Sequence, residues 1–313
     1  MFLALPALRI FRHNFSRSIL ELMGRPGRLS LVSYDLQAAS IRSIDQAGMA
    51  YFYLEGDTLP PGLSTFFSSF GVVLAFGKSQ ESILARNLIR VGVDQVLAVS
   101  SFPPEDAGKH VSEYLVESLR NAGIEGENLF YPLDLPEDAL TFARHFGAVH
   151  GLQEGERVLA IHPGSGSPAK NWSPKNFAKV ADWASERSKV LLISGPAQDG
   201  VEEVTGSMKK VSPLVANNLP LIHLAAVLKI SSAYLGNDSG VTHLAASLGL
   251  PTVAIFGPTN PAIWGPRGPG VRIIYGKDLS SLFSAEGGSE SSHHGLETIK
   301  PEEVIQVLSL FFR

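Results

Sequence analysis

The sequence predicts an α/β protein built from two doubly wound domains, and three observations lead to this prediction. The chain has 313 residues, whereas a single hydrophobic core rarely grows beyond about 250–300 residues. Short apolar runs alternate with helical patterns, which is typical of a parallel sheet covered by helices on both faces. Glycine and charged residues cluster at 147–156, and we therefore predict domains at 1–152 and 153–313.

The first half contains three apolar runs of strand length, at 19–23, 72–76 and 96–99. Residues 109–122 repeat apolar side chains at helical spacing and precede Gly123, so they predict an amphipathic helix. The apolar start of the chain, residues 1–8, contains Pro6 and has no charge before it. We expect it to form an amphipathic helix rather than a signal peptide.

Strand and helix patterns alternate more clearly in the second half of the chain. Strands are predicted at 158–162, 190–194, 233–235 and 252–256, and helices at 174–186, 221–228 and 241–248. Ser173 and Pro174 are residue types preferred at the N-cap and first position of a helix. The composition of 283–296 is that of a flexible linker. Residues 301–312 predict a terminal helix, which we expect to cross back towards the first domain.

The corner at residues 236–240, Gly-Asn-Asp-Ser-Gly, is the most informative part of the chain because a strand ends there and a helix begins. The first N–H groups of a helix have no partner within it and lie at the positive end of its dipole, so such a corner binds anions, usually phosphate. The donors would come from the segment Ser239, Gly240, Val241 and Thr242.

Two further side chains at this corner, Asp238 and His243, each have two possible roles. Asp238 either caps the helix or contacts the hydroxyls of a sugar, and the sequence does not decide between these roles. His243 lies one turn into the helix, where it either donates to a phosphate or sugar oxygen or is a packed, hydrogen-bonded histidine.

A second loop, residues 162–172, follows another predicted strand and carries Ser165, Gly166 and Lys170. Ligands of doubly wound sheets bind outside the carboxyl ends of the strands, where both loops and a third, residues 257–260, are expected. Two phosphate-binding loops and one cation predict a nucleoside-diphosphate ligand, with Lys170 stabilising charge on the leaving diphosphate. The alternatives are a solvated surface lysine and a flexible turn at Ser165 and Gly166.

Composition narrows the function further. The formal net charge of −4 provides no basic field for nucleic acid, and the absence of cysteine excludes disulfides and thiolate chemistry. No apolar run approaches the roughly 18 residues of a spanning helix, so we expect a soluble, cytoplasmic protein. Zinc-binding spacings do not occur, and we expect neither a metal nor a cofactor. A dinucleotide-dependent oxidoreductase is disfavoured because no Gly-x-Gly-x-x-Gly follows a predicted strand.

Taken together, residues 162–172, 236–246, 251–259 and 264–266 resemble glycosyltransferase family 9, the ADP-heptose:lipopolysaccharide heptosyltransferases. Residues 5–9 and 24–26 and His110 also resemble the first domain of that family. The resemblance implies a GT-B fold, with two Rossmann-like domains facing a central cleft. It implies that the first domain binds the acceptor and the second binds the nucleotide-sugar, with inverting transfer that needs no metal.

Site residues follow from the same resemblance. It implies that Lys170 and the segment from Ser239 to Thr242 hold the diphosphate, while Asp238 and His243 lie near the donor sugar or phosphate. Asp199 is expected at the ribose. The family has a strand and a Gly-Asp pair before the Leu-Pro-Ala-Leu stretch found here at 5–8, and its aspartate is the presumed base. This chain begins at Met1, so we expect that strand to be missing and find no catalytic base.

The primary hypothesis is therefore a transferase that moves a sugar, expected to be heptose, from ADP-heptose to a lipid-linked lipopolysaccharide-core acceptor. Transient contact with the inner membrane surface would accompany that acceptor. One alternative is a nucleotide-sugar-binding protein that has lost its catalytic base. The other is a different GT-B enzyme, such as a nucleotide-sugar 2-epimerase.

Overall fold

The computed structural model describes residues 1–56, 58–77, 82–104, 107–127, 129–153, 155–195, 200–210, 212–276 and 295–312. The chain forms two compact units. Unit 1 comprises Met1 and Leu3–Phe130, and unit 2 comprises Phe2 and Tyr131–Arg313. The units thus divide before the domain boundary that the sequence predicts at 152/153, because the helix Glu137–Val149 packs against unit 2.

Unit 1 contains four strands and five α-helices among its described residues. The strands are β1 (Glu21–Gly24), β2 (Ser40–Ser43), β3 (Val72–Gly77) and β4 (Gln95–Ser100). The helices are α1 (Leu5–Asn14), α2 (Pro26–Ser33), α3 (Pro61–Phe67), α4 (Ile83–Arg90) and α5 (Val111–Asn121). Strands β1 and β2 pair in parallel, as do β3 and β4, and they form two separate two-stranded sheets.

The described residues of unit 2 form one six-stranded parallel sheet. Its strands are β5 (Val158–His162), β6 (Lys189–Ser194), β7 (Leu214–Asn217), β8 (Ala233–Asn237), β9 (Thr252–Phe256) and β10 (Val271–Tyr275), in the order β10-β9-β8-β5-β6-β7. The helices are α6 (Glu137–Val149), α7 (Pro174–Ala184), α8 (Val201–Ser207), α9 (Leu221–Lys229), α10 (Gly240–Ser247), α11 (Pro261–Trp264) and α12 (Pro301–Ser309).

Helices cover both faces of this sheet. Helix α7 packs against α8 and α12, whereas α6 packs against α9, where the Phe142 and His223 rings stack 3.9 Å apart. The terminal helix α12 ends at Ser309 and buries Val304 and Leu308 in the core of unit 2, beside α7 and β9. By these contacts the helix belongs to unit 2.

The strand order of unit 2 indicates where a ligand would bind. From β5 the chain builds outwards through β6 to β7, then returns to β8, on the other side of β5, and continues to β9 and β10. The sheet therefore reverses its direction of growth between β5 and β8. In open α/β sheets ligands bind at such a point, outside the carboxyl ends of the two strands.

A membrane-spanning helix is absent from the part of the chain that the structure describes, since no helix there combines the necessary length and apolar character.

Candidate functional site

The two predicted phosphate loops leave neighbouring strands at this point of reversal. Strands β5 and β8 pair directly, with His162 opposite Gly236. The loop 163–173 follows β5, and the corner at Asp238 and Ser239 follows β8. The loop 257–260 follows β9, which pairs with the other side of β8. All three predicted loops thus lie at the carboxyl ends of adjacent parallel strands.

Asn237, the last residue of β8, joins the first two loops. Its Oδ1 accepts a hydrogen bond from the backbone N–H of Trp172 (3.0 Å), and its Nδ2 donates to the carbonyl oxygen of Pro163 (2.5 Å). The Asn237 side chain is fully buried, where satisfied amide hydrogen bonds are worth most. No sequence motif assigns a role to Asn237, although a carboxamide at the end of an otherwise apolar strand is a usable signal.

Trp172 anchors the far end of the first loop. Its indole N–H donates to the carbonyl oxygen of Ile299 (3.1 Å), and its ring meets Phe177 edge-on at 5.1 Å in the core. Only 1% of its surface is exposed, so this tryptophan is a structural anchor. Both ends of the loop that carries Lys170 are therefore fixed by buried hydrogen bonds.

Lys170 reaches the corner after β8. Its Nζ lies 2.7 Å from Oδ2 of Asp238, and the side chains are 31% and 10% exposed. The ammonium group thus stands beside the start of α10. Its charge is offset by Asp238, a pairing that the sequence alone does not indicate.

The N-cap of α10 is Ser239, not Asp238. The Ser239 hydroxyl accepts a hydrogen bond from the backbone N–H of Thr242 (3.3 Å). The amide of Thr242 is therefore engaged within the protein, which corrects the expectation that it is available to a ligand. The described residues make no hydrogen bond to the amides of Gly240 and Val241, and these remain the candidate anion donors.

Thr242 is also tied down through its side chain, which is fully buried. Its hydroxyl donates to the carbonyl oxygen of Asn237 and lies 3.0 Å from the Tyr234 hydroxyl. Burial raises the pKa of the Tyr234 phenol far above its ordinary value, so the group stays neutral. These contacts hold the first turn of α10 rigidly against the end of β8.

Gly236 is explained by this packing. A Cβ atom at residue 236 would lie 2.3 Å from the hydroxyl of Tyr234, two positions earlier on the same face of the strand. Glycine lets the phenol cross the strand end and reach Thr242. By contrast, a Cβ on Gly240 would meet no atom within 4 Å, and Gly240 is exposed. The approach to the helix start is open.

The remaining predicted residues are placed as follows. The Ser165 hydroxyl donates to the carbonyl oxygen of Ser167 (2.6 Å) and accepts from its N–H (3.2 Å), which closes a local turn. Gly166 is exposed with open space around it. His243 is half-buried in the first turn of α10, and its N–H donates to the Ser239 carbonyl (3.2 Å). Asp199 lies outside the described residues.

A metal centre is not built by the described residues, among which no group of three histidine, aspartate or glutamate side chains has the necessary geometry.

Comparison with known proteins shows the family to which the chain belongs. Residues 89–286 match the sequence model of glycosyltransferase family 9 (heptosyltransferase). The chain belongs to this family. It is 29% identical over 163 residues to lipooligosaccharide heptosyltransferase 2 of Campylobacter jejuni, an alignment that covers 50% of this chain and 51% of that protein. The chain thus spans about half the length of this curated relative.

Two solved structures show the fold. The family 9 glycosyl transferase of Veillonella parvula superposes with a TM-score of 0.78 at 19% identity, covering 99% of this chain and 93% of that one. The ADP-heptose LPS heptosyltransferase II of E. coli gives 0.75 at 16% identity, with 100% and 95% covered. The family 9 protein therefore has a GT-B fold with two Rossmann-like domains, as predicted.

Proposed function

We propose that this protein is a glycosyltransferase that moves heptose from ADP-heptose to a lipopolysaccharide-core acceptor, with inversion and without a metal. The observation that carries the proposal is the position of Lys170, whose ammonium group stands beside the open start of α10 where the sheet reverses direction. Family membership supports the type of reaction, and the C. jejuni relative is named for heptosyl transfer.

The chemistry of the donor half follows from charge. Cleavage of a glycosidic bond to a diphosphate places negative charge on the leaving group. A positively charged side chain and unpaired helix amides that are fixed beforehand stabilise this charge without reorganisation. In this proposal Lys170 supplies the point charge, and Gly240 and Val241 supply the amides. His243, one turn further along, is proposed to contact the phosphate or sugar.

Asp238 positions the cation in this scheme. An ammonium group has three N–H donors, so Lys170 can keep its bond to the Asp238 carboxylate while it contacts a diphosphate. The Asp238 side chain is only 10% exposed, so separating the pair would leave a largely buried carboxylate without its cation. Asp238 is therefore proposed to keep Lys170 in place and to turn its second oxygen to the sugar hydroxyls.

The acceptor half requires a base that takes the proton of the attacking hydroxyl. No described residue is assigned to this step. We place the acceptor on a lipid-linked glycan, which the protein would meet from the cytoplasm at the inner membrane surface.

The test is the substitution Lys170→Ala, assayed with ADP-heptose and a lipopolysaccharide-core acceptor. We expect kcat/KM to fall at least about tenfold, which corresponds to about 1.4 kcal/mol in the barrier. Lys170→Arg should retain part of the activity. Lys179→Ala, which removes an exposed lysine from α7, is the matched control and should leave the rate unchanged. An unchanged rate in Lys170→Ala would exclude Lys170 from the mechanism.

The same preparations separate the alternative functions. ADP-heptose that binds by calorimetry but is transferred to no core acceptor would indicate a binding protein that has lost its base. Conversion of a UDP-sugar into free UDP and an epimerised sugar, without an acceptor, would indicate a 2-epimerase.

A further inference from the structure

The side chain of Asn237 contacts the loop that carries Lys170 at both of its ends. Its Nδ2 donates to the carbonyl oxygen of Pro163, the first residue of the loop, and its Oδ1 accepts from the N–H of Trp172, close to the last. A single planar amide group at the end of β8 therefore closes the loop that follows the neighbouring strand β5.

The backbone at the end of β8 contacts the other half of the site. The carbonyl oxygen of Asn237 accepts a hydrogen bond from the hydroxyl of Thr242, in the first turn of α10. The next residue, Asp238, donates its N–H to the carbonyl oxygen of Ile255 in β9 (2.9 Å). The end of β8 thus holds the first turn of α10 through its backbone and the Lys170 loop through a side chain.

Asparagine is the residue type that these contacts require. They demand a donor and an acceptor on one short side chain, and a carboxamide supplies both. A carboxylate keeps the acceptor but has no donor at neutral pH, and a leucine side chain has neither. Because Asn237 is fully buried, water cannot replace a lost partner, and the backbone groups of the loop would be left unsatisfied.

The position of the loop decides the position of the cation. A lysine ammonium group is carried on a flexible four-carbon stem, so the stem alone does not fix where the charge of Lys170 lies. Its place depends on the backbone from which the stem starts and on the Asp238 carboxylate at its end. Small misplacements of a group that stabilises a transition state cost large factors in rate.

We propose that Asn237 is a positioning residue for the sugar transfer: its carboxamide holds the Lys170 ammonium group at a fixed distance from the amide donors at the start of α10. This inference rests on the proposed function. Asn237 acts through Lys170, and it lets the cation and the helix amides meet a diphosphate together without rearrangement.

The experiment is a double-mutant cycle between residues 237 and 170. Asn237→Leu is made in the parent protein and in Lys170→Ala. Asn237→Asp, which keeps the acceptor atom, is the second variant should leucine prevent folding. The matched control is Asn217→Leu, because Asn217 also ends a strand of this sheet, β7, but is exposed. Two quantities are measured, kcat/KM for transfer from ADP-heptose and the Kd of inorganic pyrophosphate by calorimetry, after circular dichroism has verified folding.

We expect Asn237→Leu to lower kcat/KM and to weaken pyrophosphate binding at least tenfold in the parent protein, but less than twofold in Lys170→Ala. Asn237→Asp should lower both at least threefold, again only where Lys170 is present, and Asn217→Leu should change neither. Equal losses in the two backgrounds would overturn the proposal, because Asn237 would then support the fold without acting through Lys170.

The absence of any loss in the Asn237 variants would overturn the proposal as well. The two measurements also separate this inference from the function on which it rests. A parent protein that shows the coupling in pyrophosphate binding but transfers no heptose would contradict sugar transfer and leave the positioning of Lys170 in place. Transfer with additive effects of the two substitutions would contradict the positioning alone, and a parent protein that shows neither binding nor transfer would overturn both.

Discussion

The two units are built from similar local sequences but bury them differently. Strand β9 of unit 2, Thr-Val-Ala-Ile-Phe, and strand β3 of unit 1, Val-Val-Leu-Ala-Phe-Gly, are both apolar at successive positions. Every residue of β9 is buried, whereas none of β3 is. Strand β9 has β8 and β10 as neighbours, while β3 pairs with β4 and borders a cavity. Apolar composition alone therefore does not bury a strand.

The difference also decides where a rigid site can form. In unit 2 the strands that carry the candidate site, β5 and β8, each lie between two partners and are wholly buried. Their ends can therefore hold Lys170 and the start of α10 in fixed positions. In the described part of unit 1 each strand has a neighbour on only one edge, and local opening is expected to be easier there.

The largest effect on the free energy of unfolding is expected when leucines in the two units are each replaced by alanine. Leu235→Ala in β8 removes a fully buried side chain and should lower the free energy of unfolding of unit 2 by about 3 kcal/mol. Leu74→Ala in β3 removes a side chain that already lines the cavity and loses fewer contacts, so we expect about 1 kcal/mol. Urea unfolding of both variants, followed by circular dichroism, measures the difference.

Fluorescence adds an internal check to this comparison. The three tryptophans, Trp172, Trp183 and Trp264, all belong to unit 2. The Leu74→Ala substitution should therefore leave the tryptophan transition in place while Leu235→Ala shifts it. If both substitutions lower the free energy of unfolding by the same amount, the inference that β3 is less tightly packed than β8 is wrong.

The next effect concerns two strand glycines. Gly236→Ala places a methyl group 2.3 Å from the Tyr234 hydroxyl, and overpacking of this kind costs about 2 kcal/mol. Gly77→Ala at the end of β3 meets no atom within 4 Å and should be nearly neutral. Thermal unfolding of the two variants tests this, and the added substitution Tyr234→Phe should recover part of the loss at residue 236. A harmless Gly236→Ala would contradict the packing of Tyr234.

These contrasts show how far the sequence could predict the fold. The interior strands of unit 2 were predictable because each is an apolar run followed by glycine or small polar residues. The predicted runs 158–162 and 252–256 coincide with β5 and β9. Strands β2, β7 and β10 were not predicted, and all three lie at sheet edges. Strands β2 and β10 each carry an exposed arginine, at Arg42 and Arg272, so they lack the continuous apolar signal of an interior strand.

The candidate site was predictable to a similar extent. Glycine and small polar residues at the strand ends indicated where the loops lie, and Lys170 was found because it is the cation of its loop. The ion-pair partner of Lys170 could not be predicted from the sequence, because Asp238 lies 68 positions away in the chain. The capping role of Ser239 and the bridging role of Asn237 likewise depend on how β5 and β8 sit side by side.

The smallest expected effect is a pH dependence that separates a fully buried tyrosine in unit 2 from a half-exposed one in unit 1. At neutral pH, Tyr234→Phe loses the contact with the Thr242 hydroxyl and should cost about 1 kcal/mol. Burial raises the pKa of Tyr234 above its ordinary value of 10.0, so the folded protein keeps the phenol proton where the unfolded chain releases it. Stability from the neutral phenol is thus complete below pH 10 and declines above it, by about 1.4 kcal/mol per pH unit.

The Phe variant lacks this decline. Its deficit relative to the parent protein should shrink between pH 9 and pH 11 in urea titrations at fixed pH. Tyr53→Phe is the control, because Tyr53 is 47% exposed and burial raises its pKa less completely than that of a fully enclosed phenol. Equal alkaline dependence of the two variants would mean that the ring of Tyr234 is not sealed beneath α10.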